Sequence, residues 1–482
     1  MTVYDSDASD KIQNSEKFKM IEEREDLLLR QALRNYDCSL PYTIELETLN
    51  YCNNDCSFCP ANRNDDKRSH MKMKKELFFK IIDDLSNIPY TGILSLFSNN
   101  EPLLDDRIYD FLEYAREKLP FARHAMFTNG ILLNEDRFAK LVKKLDWLFI
   151  DNYNDSHEML PNVKKIYNAK IDEGSCDVSV VLRSKNQVLD TRGGISPNKK
   201  NQYESFSICA LPFIQMVIRP DGKISRCCQD VYGYETLGDL SEMSITEAWN
   251  SAEFKLLRED MLCGKRKNKS FCAYCDIYGL HNYTPIELLS LYAESVINNC
   301  KGKDVYISAN YSKKAIAESV LASIGVNVID NLDLNAKKTD DINIIWLYDN
   351  YDELYENKSS NNIELLVARP DIWEAYINGQ KRKEILKKCK RASENNRLIF
   401  YGAGRNASII YKRHGLHPRF MIDGDKNKKN TLFCERIQIC TLEESSIDIE
   451  RDLFLITPGN FSEIQKKLEA IGANFLLGKY LI

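Results

Sequence analysis

Apolar and polar positions alternate through Tyr42-Thr-Ile-Glu-Leu-Glu-Thr48, and short extended runs return at Gly92–Phe97, Arg123–Thr128, Trp147–Asp151 and Asp177–Leu182. A period near two predicts strands. Between these runs the period lengthens to that of a helix, over Lys74–Asn87, Asp106–Lys118 and Asn134–Lys144. Strands alternating with helices predict a parallel sheet with helices outside. Closed wholly or in part, such a sheet is a barrel whose chemistry gathers at the carboxyl ends of its strands. Upstream, Met20, Leu27, Leu28 and Leu33 predict one helix leading into the first strand.

The pattern changes twice more. Phe213–Cys228 reads as a hairpin around Pro220-Asp-Gly222, followed by a helix that ends near Cys272 and Cys275. After residue 300 the βα alternation returns as an internal repeat. Val305-Tyr-Ile-Ser-Ala, a helix and Val328-Ile-Asp330 parallel Leu398-Ile-Phe-Tyr-Gly402, a helix and Met421-Ile-Asp423. Ile344–Asp349 and Glu364–Val367 parallel Leu453–Pro458 and Ala473–Leu476, with the helix Ile372–Ala392 joining the halves. The expected architecture is α/β throughout. It comprises a helical extension (1–40), a partial (β/α)6-type barrel (41–194), a cysteine-bearing segment (195–295) and two Rossmann-like half-domains, 300–392 and 393–482.

Composition narrows the partners. A net charge of −5 removes the general electrostatic case for nucleic acid or an anionic membrane. No apolar run is long enough to span a bilayer and no secretory signal opens the chain, so a cytoplasmic protein is expected. Fifteen cysteines in a chain of this kind point to reduced thiols and metal rather than disulfides.

The thiols are spaced. Cys52-Asn-Asn-Asp-Cys56-Ser-Phe-Cys59-Pro follows the first strand, where a barrel puts its chemistry. A zinc site would pair cysteines and finish with a fourth ligand nearby, and this loop has none. Three thiolates on a four-iron cube leave one iron open to chelate a substrate. A strand followed by Cys-x3-Cys-x2-Cys, with an aromatic before the third Cys, resembles the radical S-adenosylmethionine (SAM) superfamily. Cys209, Cys227, Cys272 and Cys275, with Gly222 between the first two, resemble its SPASM and twitch extensions. Cys228 is an alternative to Cys227, and a zinc ribbon is the plain structural alternative for this second group. Among twitch enzymes the spacing is most like the 2-deoxy-scyllo-inosamine dehydrogenase group.

The resemblance implies a 4Fe-4S cluster on Cys52, Cys56 and Cys59, one auxiliary 4Fe-4S cluster on the second group, and bound SAM. It implies that Asn99, Asn100, Glu101 and Pro102, a variant of the family's Gly-Gly-Glu-Pro run, present a backbone edge to the methionine amino group. Phe58 would pack near adenine. Thr128 and Asn129 end the third strand at the same face, and Asp151 and Asn152 end the fourth, where they suit ribose hydroxyls. Arg192 lies where related enzymes place an arginine facing substrate, with Arg183 a second candidate; either suits an alkoxide or carboxylate.

The expected activity is radical oxidation. A 5′-deoxyadenosyl radical abstracts hydrogen from a small polyol, sugar or sugar nucleotide, and the ketyl radical gives its electron to the auxiliary cluster. An external reductant such as flavodoxin or ferredoxin is implied. The rivals are a maturase of ribosomal peptides, for which the forty residues before Tyr42 leave little room for a leader-binding domain, and a non-catalytic iron–sulfur protein. The C-terminal Gly402-x-Gly404, with Asp423 after the next strand, is most of a dinucleotide fingerprint. The first repeat lacks those glycines, so packing is as good a reading there as a nucleotide site.

Overall fold

A computed structural model describes residues 1–5, 40–61, 66–200, 208–262, 266, 271–277, 285–308, 311–330, 344–348, 363–367, 371–434, 436–443, 446–459 and 461–481. The chain divides into two compact units, Met1–Pro370 and Asp371–Ile482.

The first unit holds a nine-stranded sheet. Its strands are β1 (Thr2–Asp5), β2 (Thr43–Leu46), β3 (Ile93–Ser95), β4 (Arg123–Thr128), β5 (Trp147–Tyr153), β6 (Asp177–Arg183), β7 (Gln215–Ile218), β8 (Lys223–Ser225) and β9 (Thr236–Asp239), in spatial order 1-6-5-4-3-2-7-8-9. Strands β1 to β7 pair in parallel, while β7-β8-β9 is an antiparallel meander. The parallel α/β sheet expected from the alternation is therefore present.

The crossover helices are α1 (Lys75–Ser86), α2 (Ile108–Lys118), α3 (Glu135–Val142) and α4 (Pro161–Ala169). Each buries one apolar stripe; α1 buries Phe78, Ile81, Ile82 and Leu85, and Phe78 stacks on Phe111 of α2 with ring centroids 4.1 Å apart. Asn134 caps α3 by accepting from Arg137 N–H at 2.8 Å, so this helix starts where the chain leaves the β4 end.

Two features depart from the expectation. Residues 2–5 form a strand, pairing Val3 and Tyr4 with Val180 and Val181, as β-branched and aromatic residues favour; the helix expected across Met20–Leu33 lies outside the described residues. The hairpin at Pro220-Asp-Gly222 forms, with Gly222 at φ +86°, but its first strand also pairs with β2. The cysteine-bearing segment thus begins as a continuation of the main sheet.

A second, parallel sheet in this unit contains β10 (Asp304–Ile307), β11 (Asn327–Ile329), β12 (Ile344–Tyr348) and β13 (Ile363–Val367), ordered 11-10-12-13. The second unit contains β14 (Leu398–Tyr401), β15 (Phe420–Ile422), β16 (Leu432–Phe433), β17 (Ile437–Cys440), β18 (Leu453–Ile456) and β19 (Asn474–Leu477), ordered 16-17-15-14-18-19. Strip off β16 and β17 and the two orders are the same.

Candidate active site

The loop after β2 is fastened before any metal is considered. Ser57 N–H and Oγ both reach the carbonyl of Lys185, at 2.9 and 3.0 Å, and Asn198 Nδ2 donates to Ser57 Oγ at 2.9 Å. Glu101 N–H donates to the carbonyl of Tyr51, and Asn129 Nδ2 donates to Asn53 Oδ1 at 2.8 Å. The ends of β3, β4 and β6 thus hold this loop over the sheet.

A cavity opens there. Cys52, Cys56 and Cys59 line it, with Phe58, Asn99, Asn100, Glu101, Thr128, Asn129, Asp151 and Arg192. The three thiols are close enough to act on one another. Burial, first, and then the charges of Glu101 and Cys59 push Cys52 up to about 11, and burial followed by Cys59 and Cys52 pushes Cys56 to about 12. That arrangement disfavours bare thiolates, whereas a cationic metal group reverses the preference. Two buried donors around the cavity, Asn54 Nδ2 and Asn100 Nδ2, have no hydrogen-bond partner. Thiols, aromatic walls and unmet donors fit a metal group with a polar organic ligand beside it.

Glu101 organises the rim. Its carboxylate accepts from Thr128 Oγ1 at 2.8 Å, Asn129 N–H at 2.8 Å and Leu103 N–H at 3.1 Å. Burial raises it to about 7 despite those bonds. Pro102 follows as the start of a buried 3-10 turn and stays outside the cavity lining. Neither Asn99 nor Asn100 has a positive φ, so this run keeps ordinary backbone angles where the family's glycines could leave them.

The other nominated residues separate cleanly. Asp151 and Tyr153 face the cavity, while Asn152 between them is buried on the opposite side of β5. Its amide is spent locally, donating to the Glu158 carbonyl at 3.0 Å and accepting from Leu160 N–H at 2.7 Å. Arg183 does not line the cavity; its Nε donates to Asp151 Oδ1 at 2.8 Å. Arg192 does line it. Its Nη1 donates to Asn99 Oδ1 at 2.9 Å, and Asp190 lies 3.4 Å from its Nε.

The second thiol group forms its own cluster. Cys209, Cys227, Cys272 and Cys275 act on one another, and burial pushes Cys209 up to about 12. Arg226 Nη1 donates to Cys272 Sγ at 3.1 Å, and Arg266 donates to the carbonyls of Cys272 and Cys275. Thr191 Oγ1 donates to the carbonyl of Tyr274, next to Cys275, at 2.9 Å, and Gly193 packs against the ring of Phe271, next to Cys272. Cys228 turns away from this group toward Glu45, Arg192 and Gln215.

Sequence reading missed Glu45 and Glu47, which stand behind Arg192 and Asn99 of the cavity lining. Glu45 lies on β2 and Glu47 just past its end, and Gln215 Nε2 donates to Glu45 Oε1 at 2.8 Å. Burial lifts each from the usual 4.5 to about 7. A carboxyl raised on folding stabilises the fold at acid pH, and that contribution fades as pH rises from 4.5 to about 7. In the metal-free chain, Glu47→Gln should therefore weaken the loss of stability across that interval, by up to about 3 kcal/mol. Urea unfolding at pH 5 and pH 7.5 measures it; parallel pH trends in the two proteins would contradict the assignment. Phe97 and Phe127 were also missed; they pack with centroids 5.3 Å apart and form an apolar wall.

Residues 46–182 match the radical SAM superfamily, and residues 209–276 match an iron-sulfur cluster-binding domain, SPASM. Over these residues the chain carries a radical SAM domain followed by a SPASM domain. Its cofactors are SAM and 4Fe-4S clusters, an auxiliary one included. A similar protein is the S-adenosyl-L-methionine-dependent 2-deoxy-scyllo-inosamine dehydrogenase of Niallia circulans, 26% identical over 235 residues, which are 48% of this chain and 92% of the relative. The structure of BtrN in complex with AdoMet and 2-DOIA aligns with a TM-score of 0.45 at 23% identity, over 51% of this chain and 97% of that one. Streptococcus suis SuiB bound to precursor peptide SuiA aligns with a TM-score of 0.32 at 13% identity, over 51% and 72%. Among the described residues, no helix of this radical SAM enzyme is long and apolar enough to cross a membrane.

Proposed function

We propose that this radical SAM enzyme oxidises an alcohol of a small polyol, sugar or sugar nucleotide to a ketone, with the auxiliary cluster as electron acceptor. Cys52, Cys56 and Cys59 would hold the SAM-binding cluster, and Cys209, Cys227, Cys272 and Cys275 the auxiliary one. The observation that carries the reading is Arg192, which lines the cavity of the first three thiols while the residue before it, Thr191, bonds Tyr274 and Asp276 on either side of Cys275, both at 2.9 Å. One short loop spans the distance between the two thiol groups. Arg183, tied to Asp151, would act only through that carboxylate.

Bound together, SAM and the first cluster supply a 5′-deoxyadenosyl radical. The chain's own residues do the rest. Phe58, Phe97 and Phe127 supply apolar wall and exclude water, and Tyr153 packs on Phe58 with centroids 5.7 Å apart. Asn100, Thr128 and Asn129, braced by Glu101, would orient the methionine and ribose ends of SAM, with Asp151 at the ribose. Arg192 would hold the substrate oxygen by a fixed guanidinium.

We read the outer segments as a twitch-type domain over 195–295 and a Rossmann-like pair over 300–392 and 393–482, supported by the shared strand order of the two sheets. In the second copy, Asp423 Oδ2 accepts Ala403 N–H at 2.7 Å and Lys428 Nζ at 3.0 Å, so its carboxylate serves the glycine loop itself. A cytoplasmic site and a flavodoxin- or ferredoxin-like reductant complete the proposal.

Anaerobic reconstitution should give about eight irons per chain, as two cubes require. Dithionite and SAM should then yield 5′-deoxyadenosine, and a panel of polyols, aminocyclitols and sugar nucleotides should reveal one that returns a ketone. About four irons, with no ketone from any of them, would remove the electron acceptor and this reading with it.

A further inference from the structure

Asn99 makes contacts that a glycine in its place would lack. Its main-chain N–H donates to Glu47 Oε1 at 2.7 Å, a bond any residue would keep. Its side chain does more. Nδ2 donates to the carbonyl of Cys228 at 3.0 Å and to Ser98 Oγ at 3.2 Å, and Oδ1 accepts from Arg192 Nη1 at 2.9 Å. Arg192 Nη1 also lies 3.3 Å from that same Cys228 carbonyl.

Each partner leads to the second thiol group within one residue. Cys228 is the neighbour of Cys227, and its own N–H is fixed by Gln215 Oε1 at 3.3 Å. Arg192 is the neighbour of Gly193, which packs so closely on the ring of Phe271, the residue before Cys272, that a Cβ there would lie 2.3 Å from it. Thr191, on the other side, is tied to Asp276 through its N–H at 2.9 Å and its Oγ1 at 3.0 Å. Arg192 itself is held at φ +48°, an angle that non-glycine residues adopt only where their surroundings enforce it. A side-chain amide at the cavity rim thus reaches the auxiliary group by two separate routes, through the Cys228 carbonyl to Cys227 and through Arg192 and Thr191 to the residues flanking Cys275.

We propose that Asn99 is a positioning residue that couples the SAM cavity to the auxiliary group. It fixes Arg192 and the Cys227–Cys228 peptide in one frame, so that occupancy of the cavity is felt at the auxiliary sulfurs. The proposal rests on the two-cluster reading given above. Groups that hold a ligand's neighbours tune a metal site from outside, and a change at one end must be matched at the other.

The test uses the reconstituted holoprotein and SAM itself, with no substrate. The auxiliary cluster is titrated electrochemically and followed by electron paramagnetic resonance, with and without SAM. In the natural protein SAM should shift the auxiliary midpoint potential. In Asn99→Gly, which keeps the main-chain bond and removes both side-chain arms, the shift should be lost. Asn99→Asp keeps the acceptor for Arg192 and loses the donor to Cys228, so a reduced shift is expected. An undiminished shift in Asn99→Gly, or none in the natural protein, would overturn the coupling. Should Asn99→Gly fail to take up iron, Asn99→Asp decides: a full shift overturns the proposal and a smaller one supports it. Four irons in the natural protein would strike the two-cluster reading first, by a signature that needs no titration.

Discussion

Cys59→Ala should abolish 5′-deoxyadenosine formation under dithionite and SAM, and lower the iron content from about eight to about four per chain. The three thiols of the first loop are the whole protein contribution to that cluster in the proposed assignment. Losing one leaves a cube with two anchors and two exposed corners. Fold stability should change little, because Cys59 is only partly buried and its main-chain bond to the Cys56 carbonyl, 3.1 Å, does not depend on the side chain. Cys228→Ala is the matched control, since that thiol faces Glu45 and Arg192 rather than either set; iron should remain at about eight. If Cys59→Ala still cleaved SAM, or Cys228→Ala lost half its iron, the ligand assignment would be wrong.

Gly193→Ala should have the second large effect, confined to the auxiliary side. Gly193 has φ +60°, and a Cβ there would lie 2.3 Å from the Phe271 ring. Backbone strain and forced repacking together should cost about 3 kcal/mol. The ring that must move precedes Cys272, and the strained residue lies two positions after Thr191, which is tied to Asp276 beside Cys275. Iron should therefore fall toward four while the first cluster keeps its SAM-perturbed resonance signal. Circular dichroism melts and iron analysis read the two consequences separately. Full iron content with an unchanged melting temperature would show that Phe271 yields freely and that Gly193 matters to neither.

The sheet was legible because its signal is periodic and local. Arg123–Thr128 is a strand over the residues its pattern marks, and the cysteine loop falls at the end of β2 as a barrel requires. Polarity on β2 was visible too, but a polar face on a strand usually meets water. Nothing in Glu45 or Glu47 says that the surface they line is internal. Adjacent nominations were a correctable error: Asp151 and Asn152 cannot both face one cavity, since side chains on a strand alternate. Cys227 and Cys228 lie past the end of β8, in a bend and a turn, where no strand period chooses between them. Arg183 differs in kind, because its partner Asp151 comes from another strand and only the folded register brings them to 2.8 Å. The strand at Thr2–Asp5 is four residues long and too short for any period to announce it.

Arg226 and Arg266 lie buried beneath the auxiliary sulfurs, 3% and 1% exposed. Arg226 divides its charge between Cys272 and its ion-pair partner Glu235, which leaves Arg266 to offset most of the negative shell that four thiolates would otherwise present to the interior. An iron centre in such surroundings accepts added negative charge more readily than one faced by carboxylates or lipid-like walls. Transfer from a strongly reducing organic radical would then run downhill into that corner of the protein, and return would be uphill. Electroneutrality built from arginine gives this end of the molecule the character of a drain.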